Sequence, residues 1–124
     1  MTIEETAGTR LDHERLDAYR VAVELDALVV AMARKAPRGH AWLADQAQRA
    51  SGSVVLNLAE AMGREGADRA RTLKISRGSA LELDAALTLL LHRGGCAPAA
   101  RDAAKGLTLR VLAMLTRLRE WAGG

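Results

Sequence analysis

Apolar residues recur every three or four positions through four long segments of the chain, which is the spacing of one face of an α-helix. The second segment has the most regular apolar face, formed by Leu43, Ala47, Ala50, Val54, Leu58 and Ala61. Stripes of the same spacing mark the first, third and fourth segments: Val21, Leu25, Leu28 and Met32; Ala80, Leu83, Leu87 and Leu90; Leu107, Val111, Met114, Leu118 and Trp121. The pattern therefore predicts four amphipathic helices.

Three clusters rich in glycine, proline and polar residues separate these segments, and they span residues 36–40, 63–68 and 93–98. Asp12 and Asp68 are the expected N-caps of the first and third helices, and Pro98 suits the first turn of the fourth. Residues 1–11 lack the pattern and are predicted to form a disordered arm, which leaves residues 12–122 as one domain. Long helices with short connections favour an all-α fold, namely an antiparallel up-down-up-down four-helix bundle.

A polar stripe runs beside the apolar face of the second helix. Its members share helical spacing: Gln46, Arg49, Ser53, Asn57, Glu60 and Arg64. Serine and asparagine favour caps and turns over helix interiors, so a merely solvated face does not account for them. The stripe is either a buried hydrogen-bonding seam or an exposed binding surface.

Several leucines lie outside the apolar stripes of the third and fourth helices. A helix that is apolar nearly all round is buried on more than one side, whereas a four-helix monomer of this length buries only one. We therefore expect self-association through a surface that includes the third helix. The interface candidates are Leu81, Leu89, Leu91, Leu109 and Leu112.

Composition and charge narrow the class of protein. The chain has 124 residues, one cysteine, two prolines and no phenylalanine, which favours helices and excludes an internal disulfide. Residues 1–62 carry 7 basic and 9 acidic side chains, whereas residues 63–124 carry 11 and 6. No signal peptide or membrane span is predicted, so we expect a soluble, cytoplasmic protein without membrane contact.

Tests for catalytic or metal chemistry are negative. The residues three positions before His13, His40 and His92 are not glutamate, so the helical di-iron pattern is absent. Cys96 has no cysteine partner for zinc, and no Gly-x-Ser-x-Gly turn, phosphate loop or dinucleotide motif occurs. We expect no enzyme activity, no cofactor, no metal and no small-molecule substrate.

A basic cluster surrounds the predicted start of the third helix, and it comprises Arg64, Arg69, Arg71, Lys74 and Arg77. Arginines beside a helix N-terminus suit a phosphate, so these residues are the nucleic-acid-binding candidates. The alternative is that ordinary pairs within the helix, Glu65 with Arg69 and Asp68 with Arg71, use these charges.

The second helix also matches a family pattern, Leu-x-x-Gln-x-x-Arg-Ala-x-x-Ser-x-x-x-Asn-Ile-Ala-Glu-Gly-x-Gly-Arg. Here the pattern reads Leu43, Gln46, Arg49-Ala50, Ser53, Asn57-Leu58-Ala59-Glu60 and Gly63-Arg64. The first helix adds Tyr19, Ala22, Glu24-Leu25 and Pro37, and the third adds Gly78-Ser79 and Glu82-Leu83. Over residues 16–95 the chain resembles the four-helix bundle proteins encoded by intervening sequences of 23S rRNA genes. The accessory protein of diversity-generating retroelements is a relative of that family. Three departures are Val55, where the family often has proline, Ala61, where it has glycine, and Leu58, where it has isoleucine.

The resemblance implies a bundle assembled as a homopentameric ring that associates with nucleic acid or ribonucleoprotein. With the family in view, we expect a buried polar network between the second and third helices, with Gly78 allowing close approach. Its members are Gln46, Arg49, Ser53, Asn57, Glu60, Ser79 and Glu82. The alternative is a seam exposed at a subunit interface or binding surface. The leading functional hypothesis is a non-enzymatic homo-oligomer that binds the RNA or DNA backbone, and the alternative is a scaffolding ring without nucleic acid.

Overall fold

The structure, a computed structural model, describes residue 13 and residues 16–122, and within these residues it contains four long helices and no strand. The helices are α1 (Asp17–Arg34), α2 (Ala41–Met62), α3 (Gly66–His92) and α4 (Pro98–Trp121). The predicted all-α fold is confirmed. The predicted arm, residues 1–11, and the expected cap Asp12 lie outside the described residues.

The helix ends follow the punctuation in the sequence with one correction. Pro98 begins α4, as predicted. Asp68 is not the N-cap of α3, because the helix begins two residues earlier at Gly66 and Glu65 occupies the cap position. An acidic residue in the first turn also interacts favourably with the helix dipole, so the same residue type fits both positions. Gly94, with φ at 73°, ends α3 in a conformation that side chains other than glycine rarely adopt.

Each helix packs against two others, with α1 beside α2 and α4, and with α3 beside the same two helices. The predicted apolar stripes of α2 and α3 are entirely buried in a shared core. The prediction for α4 was wrong in part, since Trp121 is 65% exposed and the most buried line is Ala104, Thr108, Val111 and Leu115. The buried line passes through Thr108, whose hydroxyl donates to the Ala104 carbonyl at 2.7 Å, and a search for apolar residues alone misses it.

Small polar side chains tie the helices together inside the bundle. The Ser76 hydroxyl on α3 donates to the Val54 carbonyl on α2 at 2.8 Å, and Ser51 on α2 donates to Asp26 on α1 at 2.6 Å. Gly78 does not provide the close approach, because nothing lies within 4 Å of the position its Cβ would take. Serine, rather than glycine, occupies the close contact between α2 and α3. No described helix is long and apolar enough to cross a membrane.

Replacing Leu58 by alanine should destabilise the fold strongly, because its side chain is 0% exposed at the centre of the core. Removing a buried leucine typically costs about 2–5 kcal/mol of unfolding free energy. Urea denaturation followed by circular dichroism measures the loss. Leu56→Ala is the matched control on the same helix, since Leu56 is 69% exposed and should change stability by less than about 0.5 kcal/mol. Equal losses in the two variants would contradict the packing described here.

Candidate nucleic-acid interface

Arg64 connects the end of α2 to the first turn of α3 through two carboxylates. Its Nη2 atom donates to Glu60 at 2.5 Å and its Nη1 atom donates to Asp68 at 2.6 Å. The hydrogen bond from Arg64, followed in size by the one from Arg71, holds the pKa of Asp68 below its usual range. The two carboxylates offset most of the charge of Arg64, so this residue is a poor phosphate ligand despite its position.

Arg69 acts on the C-terminus of α2 rather than on solvent. Its Nε donates to the Ala61 carbonyl at 3.0 Å and its Nη2 donates to the Met62 carbonyl at 3.2 Å. Its guanidinium carbon lies 5.0 Å from the ring centroid of Trp121, at the end of α4. The last carbonyls of a helix lack partners within that helix, and Arg69 supplies donors for two of them. Arg69 therefore holds three helix ends together.

The remaining predicted cations lie further along α3. Arg71 donates to Asp68 at 3.1 Å, as the alternative with ordinary helix pairs expected, whereas Arg69 does not pair with Glu65. Lys74 is exposed and forms no ion pair with any described residue. The Nε of Arg77 is 3.4 Å from the hydroxyl of Thr116 on α4. The structure thus gathers Arg64, Arg69 and Arg71 at one turn and leaves the other two beside α4.

Two further arginines, both on α4, add to the cations that remain available to contact a phosphate. Arg117 follows Thr116 directly, and Arg110 lies two turns earlier on the same exposed side of α4. Neither forms an ion pair within the described part of the chain. We call Lys74, Arg77, Arg110 and Arg117 the α3–α4 basic surface. The helical spacing of Arg110 and Arg117 is visible in the sequence. The structure adds that Arg117 lines a groove with Leu16 and Asp17 at the start of α1, so these two arginines lie on the outer side of α4.

Three members of the predicted polar network are joined by hydrogen bonds. The hydroxyls of Ser53 on α2 and Ser79 on α3 are 2.8 Å apart. The Asn57 amide donates to the Ser53 carbonyl at 2.9 Å and to its hydroxyl at 3.0 Å. This cluster lies at the boundary of the core, since Ser79 is buried and the other two residues are half-buried.

The other four members do not belong to a buried network. Gln46, Arg49, Glu60 and Glu82 are exposed. Arg49 pairs with Asp45 at 2.7 Å on its own helix, not with Glu82, and its side chain is 74% exposed. The stripe is too wide to face α3 along its whole width. Of the predicted network members on α2, only Ser53 forms a hydrogen bond to the neighbouring helix, while Asn57 bonds to Ser53 on its own helix. Arg49→Ala should therefore cost little stability, because exposed pairs contribute only about 0.2–1 kcal/mol.

A charged cluster between α3 and α4 was not predicted. Asp84 accepts hydrogen bonds from Arg101 at 2.8 Å and from Lys105 at 2.9 Å, and Arg101 also donates to Thr88 at 2.8 Å. Arg101 is only 6% exposed, so Asp84 balances a buried charge. Partial burial raises the pKa of Asp84, but the bond from Lys105 and the charge of Arg101 outweigh it, and the net pKa is lowered. The sequence carries one signal for this cluster. Asp84 and Thr88 are four residues apart on one helix, and the basic residues Arg101 and Lys105 have the same spacing on the next.

Comparison with protein families identifies the family to which this chain belongs. A model of the family described as 23S rRNA-intervening sequence protein matches residues 14–117 of the 124-residue chain. The chain belongs to this family. The match includes α1, α2 and α3, most of α4, and both the Ser53 cluster and the Asp84 cluster. Comparison with curated proteins gave no match.

The predicted interface leucines of this family member divide into two groups. Leu81, Leu89 and Leu109 are exposed, together with Ile75, which was not predicted. Leu91 and Leu112 are half-buried, and Leu112 packs against the core of its own chain. Within the described residues no cluster of three or more histidine, cysteine or acidic side chains is placed to hold a metal ion. Burial raises the pKa of the half-buried Cys96 thiol, although the charge of Arg101 acts in the opposite direction.

Replacing Asp84 by alanine should destabilise this bundle by about 3 kcal/mol, because it leaves the buried guanidinium of Arg101 without its carboxylate. Thermal and urea denaturation measure the loss. Asp45→Ala is the matched control, since it removes an exposed pair with Arg49 and should cost less than about 1 kcal/mol.

The stability difference between wild type and Asp84→Ala should depend on pH. The pKa of Asp84 is lower in the folded chain, so the folded state binds fewer protons than the unfolded state as pH falls. The stabilisation is complete above the ordinary carboxyl pKa of about 3.9 and is lost as pH falls through the lowered folded value. The difference between wild type and Asp84→Ala should therefore shrink in acid. A constant difference from neutral pH to strong acid would contradict the assignment.

Proposed function

We propose that this protein is a non-enzymatic, homo-oligomeric four-helix bundle that binds the backbone of RNA or DNA. The α3–α4 basic surface carries the proposal. Its four cations form none of the ion pairs between described residues, unlike Arg64 and Arg71 at the neighbouring turn. The family's description as 23S rRNA-intervening sequence protein is compatible with an RNA-associated role. Phosphate contacts by arginine and lysine supply most of the affinity of sequence-independent binding.

The helix arrangement that supports this surface is an antiparallel up-down-up-down bundle. Arg69, early in α3, contacts the end of α2, whereas Ser79, further along α3, contacts Ser53 near the middle of α2. Residue numbers therefore rise along one helix as they fall along its neighbour. Between α3 and α4, Asp84 contacts Lys105 and Arg77 contacts Thr116, which gives the same reversal.

Self-association through α3 and α4 is the second part of the proposal. Leu81 and Leu109 lie between the Asp84–Lys105 and Arg77–Thr116 contacts, on neighbouring helices. About half of each side chain is exposed, and burying that half stabilises by roughly 1 kcal/mol per leucine, so a second copy of the chain would gain by covering them. The resemblance to the family favours a ring of five copies.

A purely binding role is consistent with the hydroxyl groups of the bundle. Ser53 and Ser79 bond to each other and Ser76 bonds to the Val54 carbonyl, so none of these serines is aligned with a histidine. We also place the protein in the cytoplasm, where its free Cys96 would stay reduced. The alternative function is a scaffolding ring without nucleic acid, and the internal use of Arg64 and Arg69 favours it.

Binding to single-stranded RNA should weaken steeply with salt. The logarithm of the affinity falls against the logarithm of salt concentration with a slope of about −0.7 per phosphate neutralised on single strands. Fluorescence anisotropy across a salt series measures the slope. The triple variant Lys74→Gln, Arg110→Gln, Arg117→Gln should make it shallower by about 2. Arg49→Gln is the control, because that arginine is paired with Asp45. No binding by the wild-type protein at low salt would overturn this proposal in favour of the scaffold.

Native mass spectrometry should detect an assembly of five 13.3 kDa chains. The variant Leu81→Glu, Leu109→Glu should shift it to monomers, because it places charges in the apolar contact. Leu56→Glu is the control on α2, since Leu56 is an exposed leucine outside the predicted interface set. A wild-type monomer at micromolar concentration would contradict self-association, and another subunit number would contradict the pentamer alone.

A further inference from the structure

The connections α1–α2 and α3–α4 meet at one end of the bundle. Gly95 lies against the ring of His40, since a Cβ at position 95 would be only 3.1 Å from that ring. The guanidinium carbon of Arg93 is 5.4 Å from the ring centroid of Trp42. Residues of both connections, including Lys35 and Gly94, line one groove of about 470 Å³. The two connections therefore form one continuous surface.

This end of the bundle carries an excess of positive charge. Arg34, Lys35, Arg38 and Arg93 are all exposed there. Residues 33–44 and 85–101 contain no aspartate or glutamate. None of the four cations forms an ion pair with another described residue.

The acidic residues of α2 and α3 nearest to this end already form ion pairs, and the nearest acidic residue of α4 follows the connection. Asp45, the first acidic residue of α2, is paired with Arg49, and Asp84 on α3 is paired with Arg101 and Lys105. Asp102 is the first acidic residue of α4. At the α2–α3 turn, by contrast, Glu60 and Asp68 accept from Arg64. The end that the sequence did not single out therefore has the larger excess of positive charge.

Trp42 adds an aromatic surface to these cations. It is 56% exposed, although the core is close by at Leu43 and Ala44. Arg93 lies over its ring, so the indole and the guanidinium form a stacked pair beside three other cations. Nucleic-acid bases stack on such aromatic platforms in proteins that bind single strands, while cations along the groove contact the phosphates.

We propose that the double-turn surface, defined as Arg34, Lys35, Arg38, Trp42 and Arg93, binds single-stranded nucleic acid by stacking a base on Trp42. The proposal rests on the proposed nucleic-acid function and adds a second site and a strand preference to it. A duplex keeps its base faces stacked inside, so it offers phosphates but no free base to Trp42. The cations hold the backbone and the indole selects unpaired bases.

Affinity measurements on the intact chain separate stacking from charge. Trp42→Ala should lower the affinity for single-stranded RNA by about 5- to 100-fold, which corresponds to the usual worth of one stacked base. It should leave binding to heparin, a polyanion without bases, nearly unchanged. Trp42→Phe should recover most of the lost affinity, because phenylalanine also stacks. Trp121→Ala is the matched control, since Trp121 is an exposed indole under Arg69 at the other end.

The double variant Arg38→Gln, Arg93→Gln should weaken both RNA and heparin binding. In a Trp121→Phe background, Trp42 is the only tryptophan of the chain, so its fluorescence reports this site directly. Single-stranded RNA should quench it, whereas duplex RNA and heparin should not. Because Trp42 is exposed, circular dichroism melting should show that its variants stay folded.

The failure of this inference is distinguishable from failure of the proposed function. If wild-type protein binds RNA but Trp42→Ala and Trp121→Ala behave alike, the double-turn surface is not the stacking site and the proposed function stands. If wild-type protein binds no nucleic acid at low salt, both fail. If polyglutamate competes as well as RNA and depends equally on Trp42, the surface binds an acidic protein segment, and the inference is overturned.

Discussion

The close packing of α2 against α3 is the contact on which the rest of the structure depends. The Ser76 hydroxyl reaches the backbone carbonyl of Val54, which requires the two helices to lie near each other. Ala47, Ala50 and Ala61 on α2 are all buried and short enough to permit this approach. The Ser53–Ser79 bond then fixes the register at the edge of the core. With that register set, the turn between the helices brings Arg64 and Arg69 onto the end of α2.

This packing separates the arginines into structural and available groups. Arg69 and Arg101 donate to groups of the same chain, and Arg64 lies between two carboxylates. These three side chains are therefore held by groups of their own chain and are not free to bind a phosphate. The available cations lie elsewhere, on the α3–α4 basic surface and at the double turn. A count of basic residues along the chain therefore overstates the positive surface at the α2–α3 turn.

The helices and their apolar faces are predictable because they depend on local periodicity. The stripes of α2 and α3 needed nothing beyond helical spacing, and both are buried. The features that the sequence misses depend on register between helices. The sequence cannot place Asp84 opposite Arg101 without knowing how far α3 is shifted along α4. The prediction of a buried network along the polar stripe of α2 was wrong in part for a related reason. The width of the contact with α3 determines that Ser53 points inward and Arg49 outward. The double turn combines residues more than fifty positions apart, Trp42 and Arg93, that no local pattern connects.

The leucine contact and the double-turn surface are compatible because they lie on different parts of the bundle. Leu81 and Leu109 lie along the sides of α3 and α4, whereas Trp42 and Arg93 lie at a helix end. In a cyclic assembly whose axis runs along the helices, side contacts leave the ends free and place every double turn on the same face. Several copies of a weak stacking site on one face raise the effective concentration of a bound strand for the next site. Assembly then determines affinity as much as any single contact does, because one exposed indole and four cations are a small site when only one copy is present.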